Sequence, residues 1–312
     1  MKKSPHWAQM KEYGVIWGMH LLLRIYLLFG RTVLQLFLYP VVIYYWLINR
    51  QARQASQAYL NRLAVFSPSL KVTGSFFWSC RHFISFANAI IDKLAAWSGT
   101  LSQTDVQYYG QNELMAEIRK GQGVVLLGSH LGNLEVCRLI ADFNKTIHIN
   151  VLVHTKHAPK FNRLLKRISD NSRLNLIQVT EVTPATSMLL SDKIDAGELV
   201  IIAADRTPVS NRQRVTKVDF LGAEALFPQG PFILAALLKC PVYTVFCLKQ
   251  QGKHVIYFDR FSEMLKFPRK TREQAMQQII QRYAERLQTY CLKEPLQWFN
   301  FFDFWRVAHD GD

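Results

Sequence analysis

The stretch GVVLLGSHLGNLEV, residues 123–136, decides the fold class of this 312-residue chain. Four consecutive aliphatic residues precede His130, and a Gly-Asn pair separates the histidine from the next apolar segment, VCRLIADF (136–143). A short apolar run bounded by turn residues is typical of a strand buried on both faces of a parallel sheet. The stretch therefore predicts a strand over 123–128, a turn that carries His130, and a helix over 133–144.

The same rhythm continues from about residue 105 toward the end of the chain. Strands are predicted at 147–154, 174–180, 199–204, 241–248 and 254–261, and helices at 159–171, 185–196, 229–239 and 271–291. Buried strands that alternate with amphipathic helices predict an α/β fold with a mostly parallel central sheet flanked by helices. We place this α/β domain at 66–312.

Residues 1–65 differ in character and are predicted to form an N-terminal membrane-associated helical segment. Residues 15–30 and 32–48 are nearly continuous apolar stretches, split by Arg31 and flanked by basic residues. The apolar region is too long for a cleavable signal peptide, and no small-residue cleavage site follows it. A single span, a hairpin that enters and leaves the bilayer, and a buried amphipathic helix all fit this pattern. Of these readings we favour attachment to a membrane.

A further apolar helix is predicted over 76–97. It carries Arg81, His82 and Lys93, so it either packs against the α/β body or lies in the membrane interface. Two later segments also allow two interpretations. Residues 227–231 are a plain turn or an entrance for an acyl chain, and the aromatic residues of 297–305 form ordinary core or an interfacial patch.

Charge and cysteine content restrict the classes of function. The formal net charge of +15 favours an anionic partner, which can be nucleic acid, anionic lipid or an acidic protein. The sequence contains no helix-turn-helix signature, zinc-ligand spacing or basic heptad region, so we expect no nucleic-acid partner. The five cysteines are not spaced as metal ligands. They predict buried free thiols, and we expect neither a metal nor a cofactor.

His130 and Glu135 follow the first strand at the edge where sites form in open α/β sheets. If Asn133 caps the following helix, the carboxylate of Glu135 can bend back to one imidazole nitrogen and leave the other as a base. Spacing alone does not separate such a pair from a structural histidine at a strand end. The string Gly-Ser-His-Leu-Gly is out of frame with the G-x-S-x-G nucleophile elbow, which argues against a serine hydrolase.

Five blocks of the sequence, in order, resemble the lysophospholipid acyltransferase superfamily, and more narrowly its branch of bacterial lipid A late acyltransferases. The block with His130 and Glu135 is similar to the H-x4-D/E motif of the superfamily. The other four are PVVIYYWLINRQARQASQAYLNRL (40–63), LVIIAADR (199–206), FLGAEALFPQGPFILAALLKCPVYTVF (220–246) and EPLQWFNFF (294–302).

The resemblance implies transfer of a fatty acyl group from a thioester, on acyl carrier protein or CoA, to a hydroxyl of a lipid or glycolipid acceptor. It makes His130 the general base, oriented by Glu135, and it places the active site on the cytoplasmic face of a bacterial inner membrane. We expect a monomer. Other acceptors, such as a phospholipid or a secondary-metabolite lipid, remain open, as do a lipid hydrolase and a binding protein that has lost its chemistry.

Five more residues complete the predicted site. Gly132 and Asn133, with a nearby arginine, are candidate donors to the oxyanion. Arg163 roughly matches an arginine that the branch uses near its site. Asp205 and Arg206 follow the strand at 199–204 and bring a second strand end to the site. The matching block of the branch often reads Asp-Gln-Asp, and the arginine at position 206 leaves the identity of the acceptor open.

Overall fold

The structure is a computed structural model, and it describes residues 15–138, 147–153, 173–178, 183–207 and 214–305. The described helices are α1 (Val15–Ile48), α2 (Arg50–Phe66), α3 (Phe76–Ser98), α4 (Gln111–Arg119), α5 (Pro184–Asp195), α6 (Gly230–Leu237) and α7 (Arg272–Lys293). The described strands are β1 (Val106–Tyr109), β2 (Val124–Gly128), β3 (Ile149–Val153), β4 (Leu174–Gln178), β5 (Leu199–Ala203), β6 (Val215–Phe220), β7 (Ala223–Pro228), β8 (Val242–Gln250) and β9 (Lys253–Ser262).

Seven of these strands form one sheet in the order β1-β9-β8-β2-β5-β3-β4. Every neighbouring pair is parallel except β8 and β9, which form an antiparallel hairpin. The prediction of a mostly parallel sheet flanked by helices is therefore confirmed. The remaining two strands, β6 and β7, form a separate antiparallel hairpin.

All six predicted strands are present, and the strand ends that lie within the described residues differ from the predicted ones by at most two residues. The predicted helices at 76–97, 185–196, 229–239 and 271–291 correspond to α3, α5, α6 and α7. The predicted helix at 133–144 begins as a short 3₁₀ helix, Leu134–Arg138. Its remainder and the whole of the predicted helix at 159–171 lie outside the described residues. The sequence analysis missed β1, α4 and the β6–β7 hairpin.

The part of α1 from Leu21 to Ile48 is the one helix in the described ranges that is long and apolar enough to cross a membrane, judged by length and composition. Its mean hydropathy is 1.7, and only 17% of the most apolar window is buried. The helix is broken at Gly30, where a φ of 77° favours glycine, and Pro40 lies further along. A core helix would be mostly buried, so most of this apolar surface needs another cover.

Helix α3 is docked on the body, which decides between its two predicted positions. It packs against α1, and its Phe83 and Ile91 belong to one buried cluster with Leu34 and Trp46 of α1. Helix α2 continues into the main core through Tyr59, Leu60 and Leu63. The division of the chain at residue 65 stays a prediction.

The aromatic segment at 297–305 is mainly core, the plainer of the two predicted interpretations. Trp298, Phe304 and Trp305 are buried and pack around Phe220 of β6. All five cysteines are free thiols, as predicted, and four are buried while Cys80 is half-buried. The C-terminal segment is therefore part of the main hydrophobic core.

Candidate active site

The register of the sheet brings His130 and Asp205 together. Strands β2 and β5 are parallel neighbours, and Gly128 at the end of one is paired with Ala203 at the end of the other. His130 and Asp205 each lie two residues beyond these positions, at the carboxyl edge of the sheet. The Nδ1 atom of His130 lies 2.7 Å from Oδ1 of Asp205. The predicted convergence of two strand ends is therefore present.

Asp205 is fully buried and accepts four hydrogen bonds. Its Oδ1 binds the His130 ring, and its Oδ2 accepts from the backbone N–H of His130 at 2.9 Å, Nε1 of Trp298 at 2.9 Å and Nδ2 of Asn300 at 3.1 Å. Burial by itself would raise the pKa of Asp205. The His130 ring, the charge of Arg206 and the backbone donor outweigh burial and lower the pKa to about 2. The carboxylate is therefore ionised at neutral pH.

An ionised carboxylate at Nδ1 fixes the tautomer of His130. Nδ1 must carry the proton and donate it to Asp205, which leaves Nε2 as the unprotonated nitrogen. The side chain is 33% exposed, so solvent and substrate can reach the ring. Burial and the charge of Arg206 lower the pKa of His130 more than Asp205 raises it. The imidazole is therefore neutral at physiological pH and can accept a proton.

The C-terminal segment holds both members of this pair. Phe299 N donates to the carbonyl of His130 at 3.0 Å, while Trp298 and Asn300 donate to Asp205. Sequence reasoning placed this block in the family resemblance but gave Trp298 and Asn300 no part in the site. An asparagine inside a run of aromatic residues was the available signal, because a polar side chain in a buried segment needs hydrogen-bond partners.

Arg206 lies beside the pair and is held by the same segment. Its Nε donates to Oδ1 of Asn300 at 2.7 Å, and Nη2 donates to the carbonyl of Phe299 at 3.1 Å. The guanidinium lies 5.9 Å from the ring centroid of Phe302. Burial lowers the pKa of Arg206 to about 10, against the effect of Asp205, so the group stays charged. A fixed cation thus lies next to the imidazole.

The sequence analysis placed the carboxylate of Glu135 at one imidazole nitrogen of His130. In the structure, the carboxylate at Nδ1 of His130 is that of Asp205. Oε2 of Glu135 accepts from Nε1 of Trp97 at 3.1 Å, and Oε1 forms an ion pair with Lys93 at 3.1 Å. The predicted tight bend fails because residues 131 and 132 are bridged to Trp298 and Cys247. The Glu135 carboxylate therefore contacts Trp97 and Lys93 of α3.

The backbone N–H groups of Gly132 and Asn133, two candidate donors to the oxyanion, already have acceptors within the protein. The N–H of Gly132 donates to the carbonyl of Gln297 at 2.7 Å, and that of Asn133 donates to the carbonyl of Cys247 at 2.9 Å. Gly132 has a φ of +72°, and a Cβ there would lie 1.8 Å from the Cys247 oxygen. Asn133 does cap the next turn, since Oδ1 accepts from Glu135 N at 3.3 Å. Both residues shape the turn that presents His130.

Three smaller questions about the site can be answered in part. Arg163 lies outside the described residues. Residues 227–231 join β7 to α6, and Gln229 Nε2 ties this junction to Val215 and Thr216 of β6. No cluster of three or more His, Cys, Asp or Glu side chains in the described ranges is arranged to bind a metal ion.

Comparison with models of protein families gives a match over almost the whole chain. The family model described as bacterial lipid A biosynthesis acyltransferase matches residues 1–307, which is almost the whole chain. A search of curated proteins gave no match. The matched range includes both strand ends, the segment at 298–300 and the apolar helix α1.

Proposed function

The chain belongs to the bacterial lipid A biosynthesis acyltransferase family, and from that premise we propose that it moves a fatty acyl group from a thioester donor to a hydroxyl of a lipid or glycolipid acceptor. Family membership makes it an acyltransferase that acts on a lipid. The donor, carried by acyl carrier protein or CoA, and the hydroxyl acceptor are parts of the proposal. The observation that carries it is the His130–Asp205 pair at two neighbouring strand ends.

His130 acts as the general base in the proposed reaction. A hydroxyl has a pKa far above neutrality, so it needs a base as it attacks a carbonyl carbon. Nε2 of His130 takes the hydroxyl proton while the oxygen bonds to the thioester carbon. The intermediate then collapses, the carbon–sulfur bond breaks, and the imidazolium returns the proton to the leaving thiolate. The products are an ester and a free thiol, and the enzyme regains its starting state.

Asp205 has the orienting role that the sequence analysis gave to Glu135. It holds the Nδ1–H tautomer, and its negative charge stabilises the imidazolium that forms during the reaction. The four donors around the carboxylate keep it ionised and fixed in place. We propose that Glu135 acts indirectly, by fixing the turn at 131–134 against Trp97 and Lys93.

Arg206 is the proposed source of positive charge for the oxyanion. It replaces the backbone donors of Gly132 and Asn133, which are already used. A fixed cation near a developing oxyanion stabilises the transition state without reorganisation. Its position is supported by two hydrogen bonds to residues 299 and 300.

We also propose that α1 attaches the protein to the bacterial inner membrane as a monomer with its active site toward the cytoplasm. The exposed apolar surface of α1 supports attachment. An amphiphilic acceptor that stays in the bilayer would then reach the carboxyl edge of the sheet from the lipid side. Acyl carrier protein is acidic, and the net charge of +15 suits it as a donor.

The test compares the wild-type protein with the His130→Ala variant. Membranes that contain each protein are supplied with acyl carrier protein or CoA thioesters, and the lipids are analysed by mass spectrometry. We expect the variant to lose at least about a thousandfold in rate, because the base is absent. The mass of the product identifies both the acyl group and the acceptor.

His148→Ala is the matched control, because His148 is exposed on the connection before β3. This variant should transfer acyl groups at the wild-type rate. Unchanged transfer by His130→Ala protein would overturn the proposal. Release of free fatty acid in place of an acylated lipid would favour the lipid hydrolase.

A further inference from the structure

A cavity of about 530 Å³ lies beside the candidate active site, between the apolar helix α1 and the carboxyl edge of the sheet. It is lined by residues of α1, α3, the turn at 132–133, the β8–β9 hairpin and the C-terminal segment. The side chains of His130 and Asp205 are not part of the lining. The cavity is thus a neighbour of the catalytic pair and a separate space.

The polar lining is rich in positive charge. Arg31, Arg81 and Lys249 line the cavity together with one carboxylate, Asp92. Asp92 is nearly fully buried, and it is already paired with Arg31 and with Lys249, whose Nζ lies 2.8 and 2.9 Å from the two carboxylate oxygens. The three cations outnumber the single carboxylate, so the cavity carries an excess of positive charge, which attracts an anion.

The contacts that orient Arg81 are with aromatic rings and include no carboxylate. Its guanidinium lies 4.6 Å from the ring centroid of Trp78 and 5.8 Å from that of Phe77. Stacking on aromatic rings orients a guanidinium while its N–H groups remain directed outward. Arg81 can therefore donate to a ligand in the cavity.

His254 is a buried polar side chain in the wall of the cavity. It is 2% exposed and lines the cavity, yet neither ring nitrogen has a hydrogen-bond partner among the described residues. Nε2 lies 3.8 Å from Asp92, which is too long for a hydrogen bond. A buried polar group without a partner costs about 1–3 kcal/mol. Both ring nitrogens expose less than 1 Å² of surface, so a ligand that hydrogen-bonds to the ring also displaces the side chains that cover it.

The surroundings indicate where the ligand comes from. Phe77 in the lining is 63% exposed, and Leu28 and Phe29 of α1, which precede Arg31 with Gly30 between them, are 75% and 62% exposed. Apolar side chains of this size beside a cationic cavity match an amphiphile, with its head in the cavity and its tails along α1. A small soluble anion would not contact these apolar side chains.

We propose that this cavity binds the phosphate headgroup of an anionic membrane lipid that is distinct from the acyl acceptor. Arg81 and Lys249 would contact the phosphate oxygens, and His254 would donate one hydrogen bond. The bound lipid would fix the α/β body next to α1. This places the turn at 132–133, which presents His130, at a constant distance from the bilayer surface.

The full chain in detergent micelles provides the test. Short-chain phosphatidylglycerol, short-chain phosphatidylcholine and inorganic phosphate are each titrated, and binding is followed by native mass spectrometry and by the thermal unfolding midpoint. We expect phosphatidylglycerol to bind at least about tenfold more tightly than phosphatidylcholine. Arg81→Gln should lower the affinity for phosphatidylglycerol about tenfold.

Two more variants separate the proposed role from a structural one. His254→Phe should bind phosphatidylglycerol several-fold more weakly and yet unfold at a higher temperature without lipid, because it removes an unpartnered buried polar ring. Arg62→Gln is the matched control, since Arg62 also stacks on a tryptophan, Trp305 at 4.6 Å, but does not line the cavity. It should bind the lipid as the wild-type protein does.

Equal affinity of the wild-type, Arg81→Gln and His254→Phe proteins for phosphatidylglycerol would overturn the proposal. So would equal affinity of the wild-type protein for phosphatidylcholine. Inorganic phosphate that binds as tightly as phosphatidylglycerol would support a phosphate site and overturn the lipid as its source. Because His130 is outside the cavity, His130→Ala protein should keep lipid binding, and failure here is thus separable from failure of the proposed reaction.

Discussion

Two histidines are hydrogen-bonded to the same short C-terminal segment, and their surroundings suit them to different tasks. His130 is one-third exposed, and its carbonyl accepts from Phe299 N while its ring donates to Asp205. His82 of α3 is fully buried; its Nε2 donates to the carbonyl of Trp298 at 3.0 Å, and its Nδ1 accepts from Ser56 at 3.0 Å.

The difference lies in which nitrogen lone pair is left over. In His130 the partner is a carboxylate, so Nδ1 carries the proton and the lone pair on Nε2 stays available. In His82 the proton is on Nε2, and the lone pair on Nδ1 is used by the Ser56 hydroxyl. Burial lowers the pKa of His82 to about 3, so it also cannot take up a proton near neutrality. The first is suited to be a base and the second to be a structural crosslink.

The sharpest way to test the assignment of His130 is to change its carboxylate. Asp205→Asn removes the acceptor that fixes the Nδ1–H tautomer, and the amide can donate to Nδ1 and force the proton onto Nε2. We expect the acyl transfer rate to fall about 10³- to 10⁴-fold, with the fold retained. Single-turnover assays measure the acyl transfer rate, and circular dichroism checks that the variant is folded.

Glu135→Gln is the matched comparison for that variant. It leaves Asp205 at the imidazole and removes the charge that pairs with Lys93. A partly exposed ion pair contributes about 1 kcal/mol or less, so we expect a loss in rate of at most about fivefold. A larger loss for Glu135→Gln than for Asp205→Asn would restore Glu135 as the orienting carboxylate and refute the pairing described above.

The opposite side of the comparison is tested by His82→Ala. This change opens a cavity and leaves Ser56 and the Trp298 carbonyl without their partner, so the free energy of unfolding should fall by about 3 kcal/mol. The rate of acyl transfer per folded molecule should stay within about threefold of wild type. A variant with an unchanged unfolding midpoint and no activity would show that His82 belongs to the reaction.

The pH dependence of stability gives a second measurement on the same residue. The pKa of His82 is about 3 in the folded state and near its ordinary value of 6.5 in the unfolded state. Its contribution is complete above pH 6.5 and is lost as the pH falls toward 3, because the unfolded chain then binds a proton that the folded chain does not. The unfolding free energy of His82→Ala protein should therefore fall less steeply over this range than that of wild type.

The two histidines also show how far the sequence can lead. The continuous apolar runs at 123–128 and 199–204 predicted two buried strands, and the polar residues just beyond each predicted a site at their ends. The sequence does not show that these strands are neighbours, because β3 and β4 lie between them in the chain. Without that adjacency, the spacing and the family resemblance both point to Glu135 as the orienting carboxylate.

Other features were hidden for different reasons. Strand β1 has only four residues, and in the β6–β7 hairpin charged residues such as Lys217, Asp219 and Glu224 alternate with apolar ones, so neither forms a continuous apolar run. Asn300 reaches Asp205 only because the C-terminal segment folds back over both strand ends. Local pattern predicts elements, whereas contacts between distant segments depend on the order of strands in the sheet.

The smallest predicted effect concerns Arg206 and separates its charge from its hydrogen bonds. After burial, its charge is the next cause that lowers the pKa of His130. Arg206→Gln should therefore raise that pKa, and because the unprotonated ring is the active form, the acid limb of the pH–rate profile should move to higher pH. Arg206→Lys keeps the charge and loses the two-point contact with Phe299 and Asn300, so its rate should fall at all pH values while the acid limb stays in place. If the limb stays in place in Arg206→Gln protein as well, the charge of Arg206 does not set the pKa of His130, and that pKa depends on burial and Asp205.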